Sequence, residues 1–244
     1  MTQQQSLKQE YKGKALEHVI VHDKTGRTLP TVIIIPTVMG VQPLEIGFAE
    51  KLVALGYHAV VIDLFGKRFR PVIDRGEAFA EMGELRQDRS ALRDLLLTVL
   101  DEVRNRPHVD NDRVAVIGYC FGGQCALDVA RSGAEVAAVA SFHGLFDPCE
   151  LPAQPIKAQV AAYHGWDDPM VPPEAVVALG KELTEGGADW QIHSYGHVGH
   201  GFTNPKAHEI GVAGVEYDEA AARRSWDSLV NFLAEALGSP PMSR

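Results

Sequence analysis

The chain has 244 residues, of which 45% are hydrophobic and 23% are charged, and this composition suits one globular domain with a substantial core. Its formal net charge of −9 disfavours nucleic acids and membrane surfaces as partners, because an acidic surface repels phosphate groups. Three cysteines are too few for a disulfide framework and indicate a reducing compartment, so we expect a cytoplasmic protein.

The beginning of the chain is polar and lacks the apolar stretch of a signal peptide. We therefore expect residues 1–15 to form a loosely ordered segment of one domain that spans residues 1–244. No apolar run in the sequence approaches the length of a transmembrane helix.

From residue 31 onward, strand-like runs alternate with amphipathic runs. The strand-like runs are mostly continuously apolar, as in strands buried on both faces, and lie at residues 31–37, 58–63, 113–118, 136–144, 158–165 and 189–196. Helical patterns lie at residues 43–56, 84–107, 121–133, 173–187 and 218–237. Residues 66–83 contain arginines and show weak periodicity, which predicts a loop or insertion. The alternation predicts an α/β fold with a mostly parallel sheet and helices on both faces.

The turn after the strand predicted at residues 113–118 has the pattern Gly-x-Cys-x-Gly, with Cys120 between Gly118 and Gly122. A nucleophile on a sharp strand-to-helix turn has a strained backbone, and flanking glycines let the strand and helix approach closely. The dipole at the start of a helix also favours the thiolate form of a cysteine. The pentapeptide alone fits equally well a small thiol packed in a bend.

Two later segments supply an acid and a base, and each follows a predicted strand. HGWDDPMVP contains Asp167 and Asp168, and HVGHGF contains His197 and His200. Ligands of parallel α/β sheets bind at the carboxyl ends of the strands, where these segments lie. The order nucleophile, acid, base is that of the α/β-hydrolases and differs from the orders in chymotrypsin and subtilisin. The three segments together favour nucleophilic catalysis by Cys120.

The segments GYCFGG, HGWDDPMVP and GHGF resemble those of the dienelactone hydrolase family, the cysteine-dependent branch of the α/β-hydrolases. The resemblance extends over nearly the whole chain. It implies the α/β-hydrolase fold, with Cys120 as nucleophile, His200 as base and Asp168 as the acid that orients the base. It also implies an oxyanion hole formed by the backbone N–H groups of Val38 and Phe121.

The family patterns also choose between neighbouring candidates. Gly-x-x-Asp-x-x-Val-Pro selects Asp168 rather than Asp167, and Gly-His-x-Phe selects His200 rather than His197. Asp167 is then expected to be solvated or to form a turn, and His197 to be a loop residue.

Two positions depart from the founding type of the family. Thr37 stands where that type has a glutamate that helps to activate the thiol, and Asn204 where it has an arginine that binds the substrate carboxylate. His200 would then have to deprotonate Cys120 directly, and the preference for an anionic lactone loses its support. Four arginines are candidates for replacing the lost contact: Arg68, Arg70, Arg75 and Arg86.

The expected activity is hydrolysis of small carboxylic esters or enol lactones through an acyl-enzyme. The partner is a small-molecule substrate, and no cofactor and no metal are expected. The protein is expected to be a monomer or a small homo-oligomer. Five residues that follow predicted strand ends are candidate walls of the substrate pocket, although each also suits the core: Met39, Phe65, His143, Trp166 and Phe202.

Other functions stay open at this point. The same thiol is a candidate for attack on aryl phosphotriesters, and the fold is also compatible with a non-catalytic binding module. A zinc site would need His197 and His200 together with Cys120, His143 or His164. The remaining cysteines, Cys125 and Cys149, are expected to be structural, since their spacing is not that of a redox pair.

Overall fold

The computed structural model describes residues 2–66 and 75–238. Within these residues, eight strands form one sheet in the order β1-β2-β4-β3-β5-β6-β7-β8. The strands are β1 (Gln3–Tyr11), β2 (Lys14–His22), β3 (Leu29–Ile35), β4 (His58–Val61), β5 (Val109–Tyr119), β6 (Ala138–Phe142), β7 (Gln159–Gly165) and β8 (Trp190–Tyr195). The helices are α1 (Pro43–Ala54), α2 (Arg75–Gln87), α3 (Arg89–Arg104), α4 (Phe121–Arg131), α5 (Pro173–Glu185) and α6 (Glu219–Leu237), with a short 3₁₀ helix at Ala207–Ile210.

The six strands from β4 to β8 in the sheet are parallel, and β1 and β2 add an antiparallel edge. Every residue of β3, β4 and β6 is buried, as expected for strands covered on both faces. The predicted α/β fold with a mostly parallel sheet is confirmed.

Helices cover both faces of the sheet, as predicted. One layer contains α1 and α6, which bury residues such as Leu52 and Leu229 against β3, β4 and β5. The opposite layer contains α3, α4 and α5, with Leu96, Leu127 and Leu179 in its core. The two layers leave the carboxyl ends of the parallel strands as the place where connecting loops meet.

The expectation of a loosely ordered segment at residues 1–15 is wrong, because β1 pairs with β2 along its whole length. Only Leu7 of β1 is buried, so this edge strand has a polar composition. Lys12 and Gly13 have φ values of 49° and 79°, which are those of a two-residue hairpin turn. The Lys12-Gly13 pair was the local sequence signal for this hairpin, but the polar side chains of β1 hid the strand.

The predictions for residues 66–107 also need correction. Residues 75–87 form α2 instead of a loop, and the long helix predicted at residues 84–107 is interrupted at Asp88. The carboxylate of Asp88 accepts a hydrogen bond from the N–H of Ala91 at 2.8 Å and begins α3 as its N-cap. The predicted residues Arg68 and Arg70 lie outside the described residues.

In the described part of the chain, no helix has the length and apolar character that a bilayer-spanning segment requires.

Candidate active site

Cys120 lies between β5 and α4 with a backbone φ of 55° and ψ of −117°. Few residues other than glycine adopt a positive φ, and such strain persists only where the surrounding structure imposes it. Here the N–H of Cys120 donates to the carbonyl oxygen of Phe142 on the neighbouring strand at 3.0 Å. The side chain is partly exposed. The sharp strand-to-helix turn predicted for Cys120 is therefore present.

Two glycines permit this turn by allowing backbone groups to touch. A Cβ atom added at Gly118 would lie 1.9 Å from the carbonyl oxygen of Gly122. A Cβ atom added at Gly122 would lie 2.2 Å from the carbonyl oxygen of Ile35, at the end of β3. Both separations are far below van der Waals contact, so the pattern Gly-x-Cys-x-Gly is a steric requirement of the turn.

His200 and Asp168 form a buried pair at the same end of the sheet. The Nδ1 atom of His200 lies 2.8 Å from Oδ2 of Asp168, and the two side chains are 4% and 0% exposed. The other carboxylate oxygen of Asp168 accepts a hydrogen bond from the N–H of Met170 at 2.8 Å. This second bond fixes the carboxylate, which in turn fixes the orientation of the imidazole.

Backbone packing also fixes the loops that carry this pair. A Cβ atom at Gly165 would meet the carbonyl oxygen of Gly199 at 2.4 Å, and one at Gly199 would meet that of Gly214 at 2.1 Å. The N–H of His200 donates to the carbonyl of Gly214 at 2.7 Å. The loops after β7 and β8 are thus held together through glycines, as the turn at Cys120 is.

The charge of His200 depends on its neighbours. Burial acts to lower the pKa of His200, but the charge of Cys120 and the hydrogen bond with Asp168 outweigh burial and raise it to about 10. The Nε2 atom of His200 is buried, and the side chain of Cys120 is near enough to raise the pKa of the imidazole. The raised pKa favours the protonated imidazole when Cys120 carries a negative charge.

The competing residues lie elsewhere. The side chain of His197 is 100% exposed and lies 3.7 Å from Oδ2 of Asp167, whose side chain is 55% exposed. A solvated pair of this kind contributes little energy.

The residues predicted for an oxyanion hole lie on adjoining turns. The N–H of Phe121 is the first of α4, and the first N–H groups of a helix have no acceptor within it. In the loop formed by residues 37–42, Gly40 donates to the carbonyl of Thr37 at 3.0 Å and Met39 donates to its hydroxyl at 3.3 Å. The described contacts include no acceptor for the N–H of Val38. Because Gly122 touches the end of β3, this loop and the start of α4 are neighbours.

The residues predicted to line the substrate pocket differ in how much of their surface is exposed. Trp166 is 43% exposed, and Met39 is partly buried against the core. Phe65 is 3% exposed and its ring lies 6.2 Å from that of Phe121. Of these three, Trp166 has the most surface available for contact with a ligand.

His143 and Phe202 pack around His200 in the interior. Phe202 is fully buried, with its ring centroid 5.2 Å from that of His143, so its predicted contact with substrate stays a prediction without exposed surface behind it. His143 is 1% exposed, its ring lies 5.1 Å from that of His200, and its Nε2 atom is 2.8 Å from the hydroxyl of Thr203. Burial and the charge of His200 hold the pKa of His143 well below its usual range. His143 is therefore a neutral ring that supports His200.

The side chains at the two positions that depart from the founding type each accept a hydrogen bond from a nearby backbone N–H. The hydroxyl of Thr37 accepts the hydrogen bond from Met39, and Oδ1 of Asn204 accepts one from the N–H of Lys206 at 2.9 Å. Two of the candidate arginines are engaged elsewhere. Arg86 pairs with Asp147 at 2.9 Å, and Arg75 donates to the carbonyls of Glu209 and Ile210.

The other cysteines lie apart from this site. Cys125 is fully buried within α4, and burial raises the pKa of its thiol well above the ordinary value. Cys149 is partly exposed, with its sulfur 3.5 Å from a guanidinium nitrogen of Arg93. Among the described residues, no group of three or more histidine, cysteine, aspartate or glutamate side chains has an arrangement that would hold a metal ion.

Sequence reasoning missed a buried carboxyl group beside the loop at residues 37–42. Glu45, in the first turn of α1, is 1% exposed, and burial raises its pKa to about 7 against the opposing effect of backbone hydrogen bonds. Gln42 and Glu45 form the spacing of a capping box, which signals the start of a helix but does not reveal burial.

Comparisons with known proteins identify one family. A family model described as the dienelactone hydrolase family matches residues 17–237. The chain is similar to the solved structure m3DLH, with 33% identity and a TM-score of 0.88 over 97% of this chain and 99% of the other. It is also similar to a dienelactone hydrolase-like promiscuous phosphotriesterase from metagenomic libraries, with 29% identity, a TM-score of 0.88 and the same coverage. A Bradyrhizobium protein named "Probable 2-oxo-3-(5-oxofuran-2-ylidene)propanoate lactonase" is 26% identical over 220 residues, which are 86% of this chain and 84% of the relative.

Proposed function

We propose that this chain cleaves small carboxylic esters or enol lactones with Cys120 as nucleophile. The premise is that the chain belongs to the dienelactone hydrolase family and is a hydrolase of ester or lactone bonds. His200 is the general base and acid, and Asp168 orients it.

The observation that carries the proposal is the buried pair of His200 and Asp168 next to Cys120 on its strained turn. A buried histidine with a raised pKa beside a partly exposed thiol is the arrangement that activates a cysteine nucleophile. In this proposal no glutamate at position 37 is needed, because His200 itself takes the proton of the Cys120 thiol.

In the first half of the reaction, the sulfur of Cys120 attacks the carbonyl carbon and the carbonyl electron pair moves to oxygen. The N–H groups of Val38 and Phe121 stabilise this oxyanion, and each such donor typically contributes about 10²–10³ in rate. As the intermediate collapses, His200 gives its proton to the leaving alkoxide. With an ester the alcohol departs, with a lactone the released hydroxyl stays on the acyl chain, and in both cases a thioester remains on Cys120.

In the second half, neutral His200 takes a proton from water, and the resulting hydroxide attacks the thioester carbonyl. The same oxyanion donors act again, the C–S bond breaks, and the carboxylic acid leaves. A thiolate leaves more readily than a simple alkoxide, so the first intermediate tends to revert to substrate. We therefore expect a preference for enol lactones, aryl esters and thioesters, whose leaving groups compete with the thiolate.

The test is the steady-state hydrolysis of p-nitrophenyl acetate by the wild type, Cys120→Ala and Cys149→Ser. We expect Cys120→Ala to lose essentially all turnover, while Cys149→Ser, a matched loss of a thiol outside the site, retains it. Retention of a tenth or more of the wild-type rate by Cys120→Ala would overturn the mechanism, since a lost nucleophile ordinarily costs far more than tenfold (about 10⁶ in a well-studied protease).

A second measurement examines the charge pairing directly. Because the charge of Cys120 raises the pKa of His200, Cys120→Ala should shift the titration of the His200 imidazole to lower pH. The shift is measurable by NMR of ¹³C-labelled histidine, with His197 as an exposed internal reference.

A second candidate activity is hydrolysis of aryl phosphotriesters by the same thiolate. The similarity to a promiscuous phosphotriesterase over 97% of the chain is the observation that favours it. Turnover of paraoxon by the wild type and its loss in Cys120→Ala would support this activity. Its absence would confine the protein to carbonyl substrates.

We also propose that the protein works in a reducing compartment such as the cytoplasm. Its three cysteines are all free, and the nucleophile is active only as an unoxidised thiol.

A further inference from the structure

We propose that Glu45 is a positioning residue that holds the loop at residues 37–42 so that the N–H of Val38 points at the developing oxyanion. The inference rests on the proposed function, because it assigns to Glu45 a part of the oxyanion hole used by Cys120.

Glu45 connects both ends of this loop to α1. Its Oε2 atom accepts a hydrogen bond from the N–H of Gln42, the last residue of the loop, at 3.1 Å. The backbone of Thr37, the first residue of the loop, also lies close enough to the Glu45 carboxylate to lower its pKa. The glutamate of an ordinary capping box reaches only the N-cap residue, so the second contact is an addition to capping.

The interior of the loop is fixed by its own hydrogen bonds. Gly40 bonds to the carbonyl of Thr37, Met39 bonds to the Thr37 hydroxyl, and the side-chain amide of Gln42 donates to the carbonyl of Met39 at 3.2 Å. Among the described residues, Val38 and Val41 are the loop residues whose N–H groups have no acceptor in these contacts, and Val38 is the one that the family resemblance assigns to the oxyanion hole. A loop fixed internally in this way is positioned by whatever holds its ends, and Glu45 contacts both of them.

Burial indicates that Glu45 does more than start a helix. The side chain is 1% exposed, and an ionisable group in such a place costs free energy that an ordinary polar cap would avoid. Without the carboxyl group, the N–H of Gln42 would lose its buried acceptor and the backbone of Thr37 its neighbouring carboxylate, and the loop would shift. A displacement of about 1 Å at a catalytic group reduces rate by up to about 10².

The experiment compares ester hydrolysis with alkylation of Cys120 in Glu45→Gln and Glu45→Ala. Hydrolysis passes through an oxyanion, whereas displacement of iodide from iodoacetamide by the thiolate forms none. The variant Glu50→Gln is the matched control, since Glu50 is an exposed residue of the same helix.

We expect kcat for p-nitrophenyl acetate to fall about 10- to 100-fold in Glu45→Ala, with KM changed by less than roughly threefold. In Glu45→Gln kcat should fall less, because the amide oxygen of glutamine can still accept a hydrogen bond from the N–H of Gln42. The rate of alkylation by iodoacetamide should stay at the wild-type value in Glu45→Gln and in Glu45→Ala. The control variant Glu50→Gln should hydrolyse the ester at the wild-type rate.

Wild-type kcat in Glu45→Gln and Glu45→Ala would overturn the inference, as would an equal fall of hydrolysis and alkylation, which would show that the change reaches the thiol. If Glu45→Ala does not fold, Glu45→Gln decides alone, because it keeps the shape of the side chain. Hydrolysis that survives in Cys120→Ala overturns the proposed function and this inference together, whereas a failure confined to the Glu45 variants leaves the function standing.

Discussion

The turns that carry Cys120 and His200 are packed backbone against backbone, whereas α2 keeps most of its surface exposed and buries only Ala78 among its described side chains. Both regions lie near the carboxyl end of the sheet, where Arg86 of α2 pairs with Asp147 in the loop after β6. Close packing is therefore concentrated around the residues proposed for catalysis, and the exposed helix has more room for substitutions.

The largest effect is expected within the rigid region from Asp168→Asn. The amide cannot hold the His200 imidazole in the required tautomer, and we expect kcat for p-nitrophenyl acetate to fall by about 10³–10⁴. Asp167→Asn changes the adjacent, exposed carboxylate and should leave kcat within about twofold. Equal losses in the two variants would contradict the assignment of the acid.

The next largest effect is expected from Gly122→Ala. The new methyl group would overlap the carbonyl oxygen of Ile35, which is backbone and cannot move without shifting β3. We expect the free energy of unfolding in urea to fall by about 3 kcal/mol or more, together with a loss of hydrolysis. A variant of wild-type stability would show that the turn is less tightly packed than the structure indicates.

A smaller, pH-dependent effect is expected from Glu45. Its pKa is raised from 4.5 to about 7 by burial, so its favourable contribution to folding is complete below pH 4.5 and is lost as the pH rises through 7. The wild type should therefore lose stability relative to Glu45→Gln across this range, by an amount on the order of 3 kcal/mol. Urea unfolding at pH 4.5, 6 and 8 measures the difference, and parallel curves would contradict a raised pKa.

The smallest effect is expected in α2 from Gly83→Ala. A Cβ atom at Gly83 meets nothing within 4 Å, and alanine is the better helix former. We expect the free energy of unfolding to rise by about 0.5–1 kcal/mol with no change in kcat. Destabilisation here would mean that α2 is packed like the catalytic turns, which would remove the contrast between the two regions.

The same contrast between closely packed and exposed elements explains which parts of the structure could be predicted from the sequence. Buried strands and the glycine-flanked Cys120 follow from local patterns, because burial on both faces and close backbone approach each demand particular residue types. The β1 strand was missed because an edge strand exposes most of its side chains, and α2 because its apolar periodicity is weak. The part played by Glu45 depends on contacts formed only after folding, so no local pattern reveals its burial.

Sheet order has a further consequence for the time course of folding. The groups proposed for catalysis follow β3, β5, β7 and β8, which are separated in the chain by α3, α4 and α5 but share one end of the sheet. Contacts between segments as distant in the chain as the end of β3 and the start of α4 close long loops and therefore form slowly. We expect refolding chains to recover helical circular dichroism before they recover turnover, so that hydrolysis reports completion of the sheet.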